Sequence, residues 1–336
     1  MAGNRNLNIA ARAKNDEFYT QYDDIQRELN CYYIYDKNFL RDKTVLLPCD
    51  DPEWSNFTKF FALNFELYGL KKLISTSYAA DKKKFIYRNL FDEFKDFSHG
   101  KIYTLEQNDL GKVDYPLKAL NRWEYLEGDG DFRSAEVKRL RDEADVIITN
   151  PPFSMFREFL AWILEANKKF LIICNMNCIT YKEVFPLIKE NKIWLGNGFS
   201  GGDPQFKVPA DYEERSTRFW IDNDGQKWRS FGNLHWLTNM EHGKRHENIS
   251  LYMKYSPELY PRYDNYDAIE VSKTAEIPKD YAGVMGVPIT FLGKYCPEQF
   301  EILGKIDTGK INEYNLANPI INGKIGYKRI AIRRRR

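Results

Sequence analysis

The run Asp145-Val-Ile-Ile-Thr149 reads as a buried strand and leads without a break into Asn150-Pro151-Pro152-Phe153. In an open parallel sheet, ligands gather at the carboxyl ends of the strands, so this junction predicts both a layout and a site. Both prolines fix φ, and each restricts the residue before it, which holds the local acceptors in place before a ligand arrives. An exocyclic amine on a heteroaromatic ring is a poor nucleophile, because its lone pair is delocalised into the ring. A catalyst for its alkylation needs acceptors for its two hydrogens. The Asn150 side-chain oxygen and the Pro151 carbonyl can serve, and Phe153 can stack on the flat base. The plainer alternative is a tight turn after a strand, which Asn and Pro often make.

The chain before this point alternates short apolar runs with helical patterns, the signature of a parallel sheet covered on both faces. Expected elements are strands at Thr44 to Leu47, Lys72 to Ser77, Asp145 to Thr149 and Lys169 to Cys174, and helices at Glu53 to Tyr68 and Ser154 to Ala166. Residues 80 to 127 read as an insertion. From Lys192 onward, strands at Ile193 to Leu195, Leu234 to Thr238 and Ser250 to Tyr255 stand among Gly, Pro and Asn loops. The expectation is an α/β, doubly wound, mostly parallel sheet with an antiparallel edge and a smaller C-terminal α+β lobe. A catalytic domain over 1–240 and a recognition region over 241–336 follow, the latter extending to the loop 197–233.

A net charge of +2 does not by itself announce a polyanion partner, so any basic footprint must come from clustering. The 22 Tyr, 22 Phe and 7 Trp can stack bases or simply fill a core. Five cysteines without a CxxC pair read as reduced thiols in a cytoplasmic protein. Neither a signal peptide nor a membrane span is expected, since apolar runs such as Phe170 to Cys174 are short.

A methyl donor needs its own pocket, and S-adenosylmethionine suits this chemistry because its sulfonium already activates the methyl group. The turn after the first strand, Pro48-Cys49-Asp50-Asp51-Pro52, contains no glycine. Asp50 or Asp51 could hold the cofactor's ammonium group, or either could merely cap the following helix. Gly128-Asp129-Gly130-Asp131-Phe132 offers Asp131 to the cofactor's adenine amine and Phe132 to its ring, with a capping turn as the alternative. Tyr19 and Thr20, ending Asp16 to Thr20, could close over the methionine end.

Other signals carry less. His242 and His246 beside Glu241 suggest a metal only until the intervening Gly243-Lys244-Arg245 is read as a basic loop, so no metal is expected. Cys174 and Cys178 read as small core hydrophobes. Gly196 to Gly202 lacks the strand-to-helix context of a phosphate cradle and suits a mobile loop near the base. The alternation in Tyr327 to Ile332 suggests an edge strand before the terminal arginines.

Taken together, Asp16 to Tyr22, Cys49 to Pro52 with Ser55 to Phe57, Gly128 to Ser134, Thr149 to Phe153, Lys189 to Gly196, Tyr263 to Ile269 and Tyr281 to Phe291 resemble the EcoRI-type adenine-specific DNA methyltransferase family. The resemblance implies a bacterial or phage modification enzyme acting on duplex DNA at adenine N6, with a cognate restriction nuclease a compatible companion. It also implies that a first turn without glycine is normal, and that recognition follows the catalytic motif. Phe199, Lys207, Arg215, Arg218, Lys244 and Arg245 are then the expected contacts to DNA, with the target base flipped out. Rival readings are another amine or amide acceptor (cytosine N4, RNA guanine N2, protein glutamine) and a catalytically silent DNA-binding protein.

Overall fold

The computed structural model describes residues 20–79, 99–109, 122–199, 204–208, 218–306 and 319–335. The chain divides into two compact units, one of residues 1–176 with 198–240 and the other of 177–197 with 241–336. The division is not a single cut at 240. Residues 177–197 group with the later chain, and the loop region 198–233 stays with the first unit.

In the first unit, helix α1 (Tyr22–Tyr35) precedes strand β1 (Thr44–Leu47), helices α2 (Asn56–Leu63) and α3 (Phe65–Tyr68), and strands β2 (Lys72–Thr76), β3 (Lys101–Glu106) and β4 (Glu124–Tyr125). Helix α4 (Ala135–Glu143), strand β5 (Val146–Thr149), helix α5 (Phe156–Glu165) and strand β6 (Lys169–Asn175) follow. Three short strands, β7 (Gln205–Lys207), β8 (Phe219–Ile221) and β9 (Lys227–Ser230), lead to β10 (Leu234–Thr238). Within this unit the strands of the main sheet run β4-β3-β2-β1-β5-β6-β10. Strands β2, β1, β5 and β6 are parallel, while β3 and β10 pair antiparallel at the two sides. This is a mixed α/β sheet with a parallel centre. Strands β1 and β5 are buried at every residue, as expected where helices cover both faces. The core gathers Val45, Leu47, Phe57, Phe60, Ile148, Leu171, Ile173 and Trp236.

Some boundaries differ from the sequence reading, each for a local reason. The helix expected from Glu53 starts at Asn56, because the Ser55 hydroxyl accepts the Phe57 N–H and caps it there. It breaks at Asn64 into α2 and α3. The supposed insertion supplies β3 and β4, so the sheet has antiparallel strands on both sides.

The second unit contains helix α6 (Phe185–Lys189) and a four-stranded sheet of β11 (Ala268–Glu270), β12 (Val284–Val287), β14 (Arg329–Arg334) and β13 (Phe300–Ile306), in that order. The C-terminal strand was read as an edge but lies inside this sheet, paired on both sides. Its Ile330, Ala331 and Ile332 are all buried. Ser250 to Tyr255 does not form the expected strand. Side chains take backbone donors at its two ends, Gln299 that of Ile249 just before it and Asp280 that of its last residue Tyr255, so its alternation never enters a ladder. Buried Glu270 accepts from the Tyr263 hydroxyl and from the Arg329 guanidinium, a polar link inside the lobe.

Candidate active site

Strand β1 lies between β2 and β5, so the chain leaves its carboxyl end toward one side for β2 and occupies the other side with β5. Such a reversal opens a crevice at the carboxyl ends of the two central strands. The turn after β1 and the Asn150 loop after β5 both stand there.

Asp50 is held from several directions. Its N–H donates to Thr76 O at 2.9 Å, and its own carbonyl accepts from Ser75 Oγ at 2.6 Å. Its buried carboxylate accepts from Ser55 Oγ at 2.7 Å and from Thr149 Oγ1 at 2.6 Å. Burial dominates over these hydrogen bonds and pushes the carboxyl up to about 7. Asp51 instead accepts the Glu53 N–H at 2.9 Å and lies 3.2 Å from the Lys101 ammonium. Neither aspartate caps α2, because Ser55 does so.

Glycines let the neighbouring loops close on each other. Gly130 has φ +80°, and a Cβ there would lie 2.1 Å from Ser77 O; one on Gly100 would lie 2.5 Å from the same oxygen. Ala79 N donates to Asp129 O at 2.7 Å, tying the end of β2 to the 128–131 turn. Asp131 is partly buried, but hydrogen bonds from Arg133 outweigh that and hold its carboxyl below the ordinary carboxylate range. The cap of α4 is Ser134. Phe132 is buried edge-on against Phe159 and Trp162, with centroids 5.1 and 5.7 Å away, so its ring belongs to the core rather than to an open cofactor face.

Thr20 is buried, and its carbonyl accepts from Asn56 Nδ2 at 2.8 Å. Its hydroxyl has no hydrogen-bond partner among the described residues. Tyr19 and Arg215 lie outside the described residues. In the loop after β5 Pro151 is buried, Asn150, Pro152 and Phe153 are half-buried, and Pro152 O accepts the Met155 N–H at 3.0 Å. The Phe153 ring is 6.4 Å from Phe231, which packs on Phe206 at 5.7 Å.

The residues expected to touch DNA fall into different settings. Phe199 stacks at 5.5 Å on buried Trp236, an inward role. Lys207 and Arg218 are exposed in the first unit. In the second unit, Lys244 donates to Asn197 O at 2.5 Å. Arg245 is 7% exposed, with its guanidinium 3.6 Å from the Trp194 ring centroid and 3.3 Å from Glu241, so it is a structural cation rather than a surface contact. His242 is buried against Leu195 O, while His246 bridges Glu241 and Glu298. Among the described residues, no group of three or more His, Cys, Asp or Glu could hold a metal ion. None of the described helices is long and apolar enough to cross a membrane.

Sequence reasoning missed Ser55, Ser75 and Thr149, the side chains that fix Asp50. The available signal was a hydroxyl at or near the end of an otherwise apolar strand, repeated at Ser75 and Thr149.

The model of the family described as adenine-specific methyltransferase EcoRI matches residues 6–335, and the chain belongs to that family. It is therefore an adenine-specific methyltransferase by class. The Type II methyltransferase M.EcoRI of Escherichia coli is 46% identical over 337 residues, covering 100% of this chain and 98% of that protein. M.MpnI of Mycoplasma pneumoniae and M.MgeORF184P of Mycoplasma genitalium, both Type II methyltransferases, are each 33% identical, with 98% of this chain and 98% of each relative covered. No solved structure matches the chain.

Proposed function

We propose that this enzyme transfers a methyl group from S-adenosylmethionine to N6 of adenine in duplex DNA. The carrying observation is the Thr149 to Asp50 hydrogen bond, which fastens the residue before Asn150 to the turn after β1 at the sheet's switch point. The residues present fit the cofactor: a buried Thr20 hydroxyl without a partner among the described residues and a buried carboxyl at Asp50 suit a polar, cationic ligand. Bound there, S-adenosylmethionine supplies an activated methyl group.

The chain's own residues then divide the work. Asp50 and Asp51 balance the ammonium group, Tyr19 and Thr20 close over the methionine end, Asp131 accepts from the adenine amine, and Phe132 backs the pocket from the core. Asn150 Oδ1 and Pro151 O accept the N6 hydrogens of the substrate adenine, while Phe153 stacks on its face. These groups cannot reach N6 inside a stacked duplex, so the adenine is flipped out. Lys207, Arg215, Arg218 and Lys244 neutralise phosphate. The enzyme works in the cytoplasm of a bacterium or a phage-infected cell, where a cognate restriction nuclease is a compatible companion.

Incubation with methyl-labelled cofactor and equal masses of DNA, RNA and protein tests the acceptor class. Label is expected in DNA, and label confined to RNA or protein would overturn the proposal.

A further inference from the structure

Strands β7, β9 and β8 form a three-stranded antiparallel sheet with two unlike faces. The register aligns Phe206, Arg229 and Phe219 in one row, and Lys207, Trp228 and Trp220 in the next. Side chains alternate along a strand, so the two rows lie on opposite faces. The first row faces inward. Phe206 is buried and packs on Phe231, the neighbour of Phe153, and the Arg229 guanidinium lies 4.4 Å from the Phe231 ring centroid. The small sheet is thus backed by the aromatic group that contains the catalytic-loop phenylalanine.

The second row faces outward. Lys207 is exposed, and its ammonium lies 5.3 Å from the Trp228 ring centroid. The Trp228 and Trp220 rings are nearly parallel, at 6.2 Å and 5°. Trp228 Nε1 donates to Asp222 Oδ2 at 2.7 Å, and Asp222 Oδ1 accepts the N–H groups of Asp224 and Gln226. That turn fixes the indole plane and engages the acidic charge locally. Exposed Arg218 precedes Trp220 by two residues, and its carbonyl accepts the Ser230 N–H at 2.9 Å, which extends the ladder by one pair. Residues 204–208 and 218–231 carry four cations against two carboxylates; of the cations Lys207 belongs to the outward row and Arg218 adjoins it, while Arg229 belongs to the inward row.

We infer that the row Lys207, Trp228 and Trp220, with Arg218, is a docking surface for the strand of duplex DNA flanking the target adenine. Lys207 and Arg218 meet phosphates, and the fixed indoles pack on the apolar deoxyribose between them. A flat, pre-ordered aromatic pair loses little side-chain entropy on binding, and the adjacent cations complement the polyanion. This assignment rests on DNA being the substrate.

Lysine acylation read by mass spectrometry on the full chain tests it, with and without saturating sheared duplex DNA free of N6-methyladenine. Lys207 should label at least about tenfold more slowly with DNA bound, while Lys169, at the amino end of β6, labels as before. K207E, an exposed substitution, should raise KM for the same DNA at least about tenfold and leave cofactor affinity unchanged. Unslowed labelling of Lys207, or a KM within about twofold of the parent, overturns the inference. Failure of the unaltered protein to methylate any DNA overturns the proposed function instead, and the labelling still reads whether DNA covers the row.

Discussion

Thr149 Oγ1 donates a 2.6 Å hydrogen bond to Oδ2 of Asp50, joining residues 99 positions apart at the ends of β5 and β1. One side chain thereby sets the spacing between the turn assigned to the cofactor and the loop assigned to the base. Thr149→Val keeps the shape but removes the donor. It should lower kcat/KM by about tenfold, the scale of one buried hydrogen bond to a charged group, with both KM for the cofactor and kcat affected. Steady-state kinetics at varied cofactor checks this, and unchanged parameters would deny the link a role.

Asn150→Ala should leave cofactor affinity nearly intact and lower methyl transfer by at least about a hundredfold, the scale of losing one preorganised polar group at a reacting centre. Single-turnover transfer with calorimetric cofactor binding separates the two effects. Near-normal turnover would remove Asn150 from the chemistry.

Burial raises the Asp50 carboxyl from an ordinary 3.8 to about 7. The native state therefore holds an extra proton between those values. The stabilisation linked to that proton is complete below about pH 3.8 and is lost as the pH climbs through about 7. Cofactor binding runs the other way, since a cation favours the ionised carboxylate. Affinity should rise with pH up to about 7 and binding should release a proton. Calorimetry in buffers of different ionisation heat detects the release, and Asp50→Asn should abolish it. A flat pH profile in the unaltered protein would contradict the assignment.

How far the sequence alone revealed this arrangement depended on the range of the forces involved. Thr44–Leu47 and Leu234–Thr238 form strands at their expected bounds because short apolar runs between polar turns have few other options. The Asn150 loop was readable because proline geometry is local. Long-range pairing was not: nothing near Asp50 in sequence announces Thr149, and nothing near Ser250 announces that Gln299 and Asp280 will take neighbouring backbone donors. Arg245 looked like a surface cation beside Lys244 until the fold put it over Trp194. Phe132 stood among polar residues and gave no sign of Phe159 and Trp162.

In the second unit, Arg329 and Glu270 form an ion pair with side chains only 13% and 10% exposed. Arg329→Ala leaves Glu270 a buried charge with the Tyr263 hydroxyl as its remaining donor among these three. It should destabilise the fold by about 3 to 5 kcal/mol, readable in urea unfolding. A loss below about 1 kcal/mol would mean that water reaches the carboxylate.

The most direct measurement follows the methyl group to a single atom. Purified protein, methyl-labelled S-adenosylmethionine and unmethylated duplex DNA are incubated together, the DNA is digested to nucleosides, and the label is separated by chromatography. Label is expected in N6-methyldeoxyadenosine alone, and at least about a hundredfold weaker with Asn150→Ala. Label in N4-methyldeoxycytidine, or equal N6 labelling by the Asn150 variant, would contradict the account.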